Sequence, residues 1–246
     1  MLQVCLNGAR SRAECPHLPV TPDELATAAR EAVAAGAEDI HLHPKDREGR
    51  DTLDADAVAA AVNAVRAAVP GVPVGVTTGA WATEDPQARA AQVRAWTVLP
   101  DHASVNWHED GADDVAAALL DREVGIEAGI YSGTPAARRF LGWSESHRTL
   151  RILAEITATT PQDAIHAAAD LLNELAPAAS PVLLHGEDEA AWPVLRLAVA
   201  RGLDTRIGLE DVLHLPDGRI APDNTALVRM ARQTIPHSRR DVLRQP

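Results

Sequence analysis

The sequence predicts a (β/α)₈ barrel, and three observations carry that prediction. Its 246 residues are close to the roughly 250 typical of that fold. Eight short apolar runs alternate with Ala-rich helical patterns, and no low-complexity linker or composition break marks a second domain. Aromatic residues make up only 3%, so the core is built mainly from small and branched side chains suited to layered strands and helices. Alternation of this kind implies a parallel sheet with helical crossovers. An open doubly wound sheet fits the same pattern, but eight units in this length favour closure. A single barrel domain over 1–246 is therefore expected.

The first strand is LQVCLNG (2–8). Thr21-Pro22-Asp23-Glu24 then opens a helix with a capping Thr, a Pro in the first turn and acids near the positive end of the dipole. That helix runs to Gly36, a plausible stop. EDIHLH (38–43) and a helix over 54–69 form the second unit, and VPVGVTTG (72–79) and 85–96 the third. HASVNW (102–107) with 113–122 follows, then VGIEAGIY (124–131) with a weakly patterned helix around 135–146. TLRILAEIT (149–157) precedes a helix opened by Thr160-Pro161-Gln162-Asp163. SPVLLHGE (180–187) leads to a helix through 195–201, and DTRIGLED (204–211) to the closing helix over 223–233.

A net charge of −12 argues against non-specific binding to nucleic acid or an anionic membrane. A metal and a few arginines can still reverse the sign locally for an anionic substrate. Cys5 and Cys15 are too few for a disulfide framework and read as reduced thiols. No basic N-terminal end leads into a long apolar core, and no apolar run reaches the ~18 residues of a membrane span. A cytoplasmic protein is expected.

In a barrel of this type the site lies where the strands end. His41-Leu42-His43 closes the second strand, and a two-residue spacing puts both imidazoles on one face. They read either as half of a metal site or as a hydrogen-bonded pair near the mouth. Glu210, at the end of the eighth strand and close to the second in a closed barrel, can add an oxygen ligand. Two histidines and one glutamate leave a fourth position open, as a catalytic zinc site requires. Arg206 and Asp211 flank that glutamate, either orienting substrate and serving as a polarised base or forming a structural salt bridge. Thr77, Thr78 and Gly79 offer hydroxyls and backbone N–H groups to a substrate carboxylate, and Ser104 and Asn106 share one face of the fourth strand. Glu127 on strand five and His185 and Glu187 at the end of strand seven read as further polar groups of the barrel mouth. Arg10, in the turn Asn7-Gly8-Ala9-Arg10, can reach an anionic substrate, whereas Arg239-Arg240 reads as solvated tail. No G-x-G-x-x-G, P-loop or G-x-S-x-G occurs, so nucleotide cofactors and serine hydrolase chemistry have no local support.

These residues also carry a resemblance. AGAEDIHLHPKDREGR (35–50), VTTG (76–79), SVN (104–106) and RIGLEDVLHLPDGRIAPDNTALV (206–228) resemble the β-keto acid cleavage enzyme family, in order along most of the chain. The resemblance implies a zinc-dependent barrel in which a β-keto acid and acetyl-CoA give acetoacetate and a new acyl-CoA. It implies His41, His43 and Glu210 as metal ligands and Arg206–Asp211 as the pair that deprotonates the substrate. Thr77 and Thr78 then fall where the family has a Ser-Thr pair near the substrate carboxylate, and Ser104 falls on a small hydroxyl residue. A homo-oligomer, tetramer or dimer, is implied as well. The sequence departs from the family where Arg10 replaces a catalytic glutamate and Lys45 an arginine. ITATTPQDA (156–164) replaces an expected glycine-rich stretch, and HGEDEAAW (185–192) follows strand seven. The chain is also shorter than the usual member.

Three other readings share the pattern. A hydrolase of the amidohydrolase kind needs further histidines at strands five and six, which carry none at their ends. A metal-dependent aldolase or isomerase needs no coenzyme A. A non-catalytic metal-binding barrel is suggested by Arg10 and opposed by the retained Arg206, Glu210 and Asp211. An N₂O donor set also accepts iron, manganese or cobalt.

Overall fold

Strands and helices alternate without exception along residues 1–235, which the structure, a computed structural model, describes. The first half comprises Leu2–Cys5 (β1), Pro22–Ala34 (α1), Asp39–Leu42 (β2), Ala55–Ala68 (α2), Val74–Thr77 (β3), Pro86–Ala95 (α3), His102–Asn106 (β4) and Ala112–Leu120 (α4). The second comprises Gly125–Tyr131 (β5), Ala136–Gly142 (α5), Arg151–Ile156 (β6), Pro161–Glu174 (α6), Val182–Gly186 (β7), Ala191–Ala200 (α7), Thr205–Ile207 (β8) and Asn224–Thr234 (α8). Arg239 and Arg240 lie outside the described residues.

All neighbouring strands pair in parallel, in the order β7-β6-β5-β4-β3-β2-β1-β8. The ring is nearly closed: β7 meets β8 through one parallel bridge, Leu183 to Asp204, and Leu184 N donates to the Asp204 carbonyl at 2.9 Å. The (β/α)₈ barrel is therefore the fold. Its helices start where the sequence signals them. Thr21 forms a full capping box with Glu24, and Thr160, Asp85 and Asp223 each accept from the third residue of their helix.

Strand residues alternate strictly. Leu2, Val4, Ile40, Leu42, Val74 and Val76 join the apolar layer between sheet and helices, while their neighbours point into the barrel. That interior is polar. At its floor Arg151 donates to Glu127 Oε1 at 2.6 Å and to Asp39 Oδ2 at 2.7 Å, and Gln3 bonds both carboxylates. His102 completes the floor between Asp39 (3.0 Å) and Glu127 (3.0 Å). Its ring fills the space of a missing side chain, since a Cβ on Gly75 would lie 2.0 Å from it.

Two expectations need correction here. Strand eight does not run over 204–211 but ends at Ile207, because Asp211 N and Val212 N both turn back onto the Gly208 carbonyl. The fifth helix stops at Gly142, and a separate 3-10 turn, Ser146–Arg148, replaces its expected end.

Burial alone would push the His102 pKa down, but the Glu127 and Asp39 carboxylates hold it up at about 10 against 6.5 for the free side chain. Its contribution to stability is thus complete below about pH 6.5 and lost as pH rises toward about 10, because only the folded state then keeps the proton. Urea titrations across that range should show a falling midpoint, and a His102→Gln variant should show a much flatter dependence. Parallel curves for the two proteins would remove His102 from the account.

Candidate active site at the C-terminal mouth of the barrel

Above this floor the strand ends carry a second polar layer. His41 is the inward residue two positions beyond Asp39, and His43 lies just past the end of β2. The Asn7 side chain holds His43 by both backbone groups, donating to its carbonyl and accepting from its N–H at 2.9 Å each. The turn after β8 brings in Glu210. That turn fits because two glycines allow close approach. A Cβ on Gly208 would lie 1.9 Å from the Cys5 carbonyl, and one on Gly8 (φ +61°) 2.4 Å from Glu210 Cγ.

The result is a cluster of donor atoms. Glu210 Oε2 lies 3.7 Å from Nε2 of both His41 and His43, and the ligand atoms of the three residues lie within 4.8 Å of one another. Metal–ligand bonds of 2.0–2.2 Å in a tetrahedron set its ligand atoms roughly 3.3–3.6 Å apart. Glu210 Oε2 is buried with no hydrogen-bond partner among the described residues. Nδ1 of His43 is engaged by Asp51 Oδ2 at 2.8 Å, leaving its Nε2 directed at the cluster. Lys45 pairs with the other Asp51 oxygen and donates to the Gly8 carbonyl at 2.6 Å. Burial works against a charged His43, yet Glu210 and Asp51 raise its pKa to about 9, whereas burial drives His41 down to about 4. The cluster therefore attracts positive charge, which a divalent cation would provide in place of the proton. Asp39, His102 and Glu127 have similar spacing, but Arg151 and Gln3 already occupy those carboxylates.

Arg206 organises the other half. Its Nη2 donates to Glu210 Oε1 at 2.9 Å, and its Nε faces both Asp211 Oδ1 (3.0 Å) and His185 Nδ1 (3.1 Å). His185 therefore carries its proton on Nε2, toward Glu155 Oε2 at 3.5 Å. Burial and the neighbouring Glu210 raise Asp211 to about 7 despite Arg206, and its Oδ2 has no partner among the described residues.

The remaining candidates are placed less uniformly. Thr77 and Ser104 stand side by side across β3 and β4. Thr77 accepts from Gly79 N at 3.1 Å, Thr78 donates to the Ser104 carbonyl at 2.6 Å, and Asn106 donates to Glu109 at 3.0 Å. Arg10 reaches the rim, donating to the Glu210 carbonyl at 3.0 Å and to Asp188 at 2.7 Å. Glu127 is not a strand-end group. It sits on the floor, with Oε2 3.8 Å from His41 Nδ1. Sequence reasoning missed Asp51, which acts from an irregular loop, and Trp81, whose ring stacks on His43 with centroids 5.8 Å apart and planes 4° apart. It also missed Tyr131 and Glu155. These two were legible as inward positions by the same two-residue count that found His41.

Comparison with known proteins gives the family of the chain. A family model for beta-keto acid cleavage enzyme matches residues 1–245. The chain belongs to the β-keto acid cleavage enzyme family. A 3-keto-5-aminohexanoate cleavage enzyme from Fusobacterium nucleatum subsp. nucleatum is 22% identical over 231 residues, covering 87% of this chain and 82% of the relative. Among solved structures, a ternary complex of ObcA with a C4-CoA adduct and oxalate superposes with a TM-score of 0.71 at 17% identity over 89% of this chain. The match takes in 63% of that ObcA chain, so this protein spans about three-fifths of its length. The 3-dehydroquinate dehydratase of Geobacillus kaustophilus HTA426 gives a TM-score of 0.56 at 14% identity, over 95% of this chain and 91% of its own. Both likenesses are of fold. Membership in the family makes the chain an enzyme of the β-keto acid cleavage type with a candidate metal centre.

Gly8→Ala should cost roughly 1–3 kcal/mol, because it strains a left-handed backbone and drives a methyl into Glu210. A denaturation midpoint equal to that of the unsubstituted protein would show that the turn after β8 is free to move aside.

Proposed function

We propose that the protein condenses a β-keto acid with acetyl-CoA to give acetoacetate and a new acyl-CoA, using a divalent metal, with zinc suited best by the donor set. One observation carries the reading. In a chain of this family, the unpartnered Glu210 Oε2 faces two imidazoles while Arg206 ties the same carboxylate to Asp211. His41, His43 and Glu210 would hold the metal, and Asp51 would orient the His43 imidazole from behind. When bound, the metal supplies Lewis-acid polarisation of the β-carbonyl.

The protein's own groups account for the remaining roles. Asp211, kept in place by Arg206, accepts a proton from the bound β-keto acid through its free Oδ2, and burial near neutrality suits it to that task. Hydroxyls of Thr77, Thr78 and Ser104, with the Asn106 amide, supply the polar surface for the substrate carboxylate. Arg10 closes the rim between the loops after β1 and β7. In the net reaction the bond between C2 and C3 of the β-keto acid breaks, and its acyl part passes to coenzyme A. The two-carbon remainder joins the acetyl group, so atoms balance without an oxidant. A homo-oligomer and a cytoplasmic setting accompany this reading.

Metal analysis and a mass-spectrometric acetoacetate assay test it together. Stoichiometric zinc and acetoacetate formation are expected, both lost in Glu210→Ala. Asp51→Asn should weaken metal affinity about 10–100-fold. Asp211→Asn should keep its metal while kcat falls by about 10²–10⁴. Bound zinc with no acetoacetate from any β-keto acid would redirect the assignment to a lyase that works without coenzyme A. No metal would remove His41, His43 and Glu210 from the ligand role.

A further inference from the structure

The turn after β8 carries a candidate ligand and the candidate base on consecutive residues, Glu210 and Asp211. Its N–H groups are met by the barrel and by the turn itself. Glu210 N donates to the Cys5 carbonyl at 3.3 Å, and Asp211 N and Val212 N donate to the Gly208 carbonyl at 3.0 Å each. Arg206 holds the two side chains from within, through Glu210 Oε1 and Asp211 Oδ1. The two carbonyls are met by residues of other loops.

Arg10, in the loop after β1, donates from Nε to the Glu210 carbonyl at 3.0 Å. Asp188, in the loop after β7, donates its backbone N–H to the Asp211 carbonyl at 2.7 Å. The two residues then grip each other, Arg10 Nη2 donating to Asp188 Oδ1 at 2.7 Å. Three hydrogen bonds thus close a loop over the peptide that joins Glu210 to Asp211. Lys45 steadies the near arm by donating to the Gly8 carbonyl at 2.6 Å.

The Asp188 side chain is 70% exposed and that of Arg10 19%, so their pairing adds little to stability. Glu14 Oε1 stands 3.8 Å from the same guanidinium, so the Arg10 charge is already balanced. Asp188 also keeps a left-handed backbone (φ +45°), which costs free energy in a residue other than glycine and persists where its surroundings impose it. We infer that Arg10 and Asp188 form a clamp with a positional task. It fixes the main chain of Glu210 and Asp211, and with it the aim of a ligand and a base. The inference rests on the roles given above to those two residues and adds two positioning residues to them.

Two substitutions open the clamp without emptying the site. Asp188→Gly keeps the left-handed backbone and its N–H but removes the acceptor of Arg10. Arg10→Lys keeps the charge, but a single ammonium replaces the fork that spans the Glu210 carbonyl and Asp188. With acetyl-CoA and 3-keto-5-aminohexanoate or 3-oxohexanoate as probes, each variant should lose about 10–100-fold in kcat at unchanged KM. The double variant should be no worse than the poorer single one, because both substitutions break one link. Thermal midpoints should stay close to that of the unsubstituted protein. Asp188→Asn, which retains an acceptor, should recover most of what Asp188→Gly loses.

Two readouts stand apart from turnover. Zinc affinity, measured in competition with a chelating dye, should weaken about 10–100-fold in both variants. Amide exchange over residues 208–212 in the metal-free protein should quicken. These changes support the clamp even if no acetoacetate forms and the β-keto acid reading fails. Unchanged exchange in both variants overturns it, as does unchanged zinc affinity with undiminished kcat. A thermal midpoint that falls in step with activity makes the pair structural and overturns it as well. A raised KM in Arg10→Lys beside a silent Asp188→Gly also overturns it, and makes Arg10 an anion-binding group for the substrate.

Discussion

The guanidinium of Arg206 stands inside the barrel, and everything above the floor is arranged around its need for partners. A buried cation is tolerated only when its N–H groups are met by acceptors and its charge is balanced. Arg206 finds Glu210 Oε1, Asp211 Oδ1 and His185 Nδ1. Satisfying it draws the turn after β8 inward and fixes the tautomer of His185. It also leaves Glu210 with one oxygen occupied and the other directed at His41 and His43. The position of Glu210 opposite the two imidazoles is thus a consequence of one buried charge.

The two polar layers of the interior do different work. On the floor, Asp39, Glu127, Arg151, His102 and Gln3 are joined by hydrogen bonds and short ion pairs, and that network rigidifies the barrel. The upper layer is left open. Glu210 Oε2, Asp211 Oδ2, Glu155 Oε1 and His185 Nε2 are all buried without a hydrogen-bond partner among the described residues. Unsatisfied buried groups destabilise a fold, and those on Glu210 and Asp211 stand where a ligand at the mouth would complete the structure.

Arg10 shows how the rim accommodates a cation without disturbing the barrel. Its guanidinium is fastened to Asp188, a non-glycine residue in the left-handed region (φ +45°), and to the backbone of Glu210. The loops after β1 and β7 are thereby strapped together over the rim. The Arg10 charge is engaged locally at the rim.

The barrel was legible in the sequence because alternation, capping residues such as Thr21 and Thr160, and the two-residue period are local. The same period put His41 on the inner face, and the strand-end rule singled out His43, Arg206, Glu210 and Asp211. What the chain could not reveal locally was height. Periodicity tells which side of a strand a residue faces. How deep it lies depends on the stagger between strands once the barrel closes. Glu127 therefore read as a mouth group and is part of the floor. Residues delivered by irregular segments, Asp51 and Trp81 above all, have no period to betray them. Their positions follow from the turn closed by Asp46 and Arg50 and from the space left over Gly79, where a Cβ would meet the Trp81 ring at 2.2 Å. Even Glu210, found for its place near strand eight, reaches the site only because Gly208 and Gly8 let two loops approach more closely than any side chain would permit.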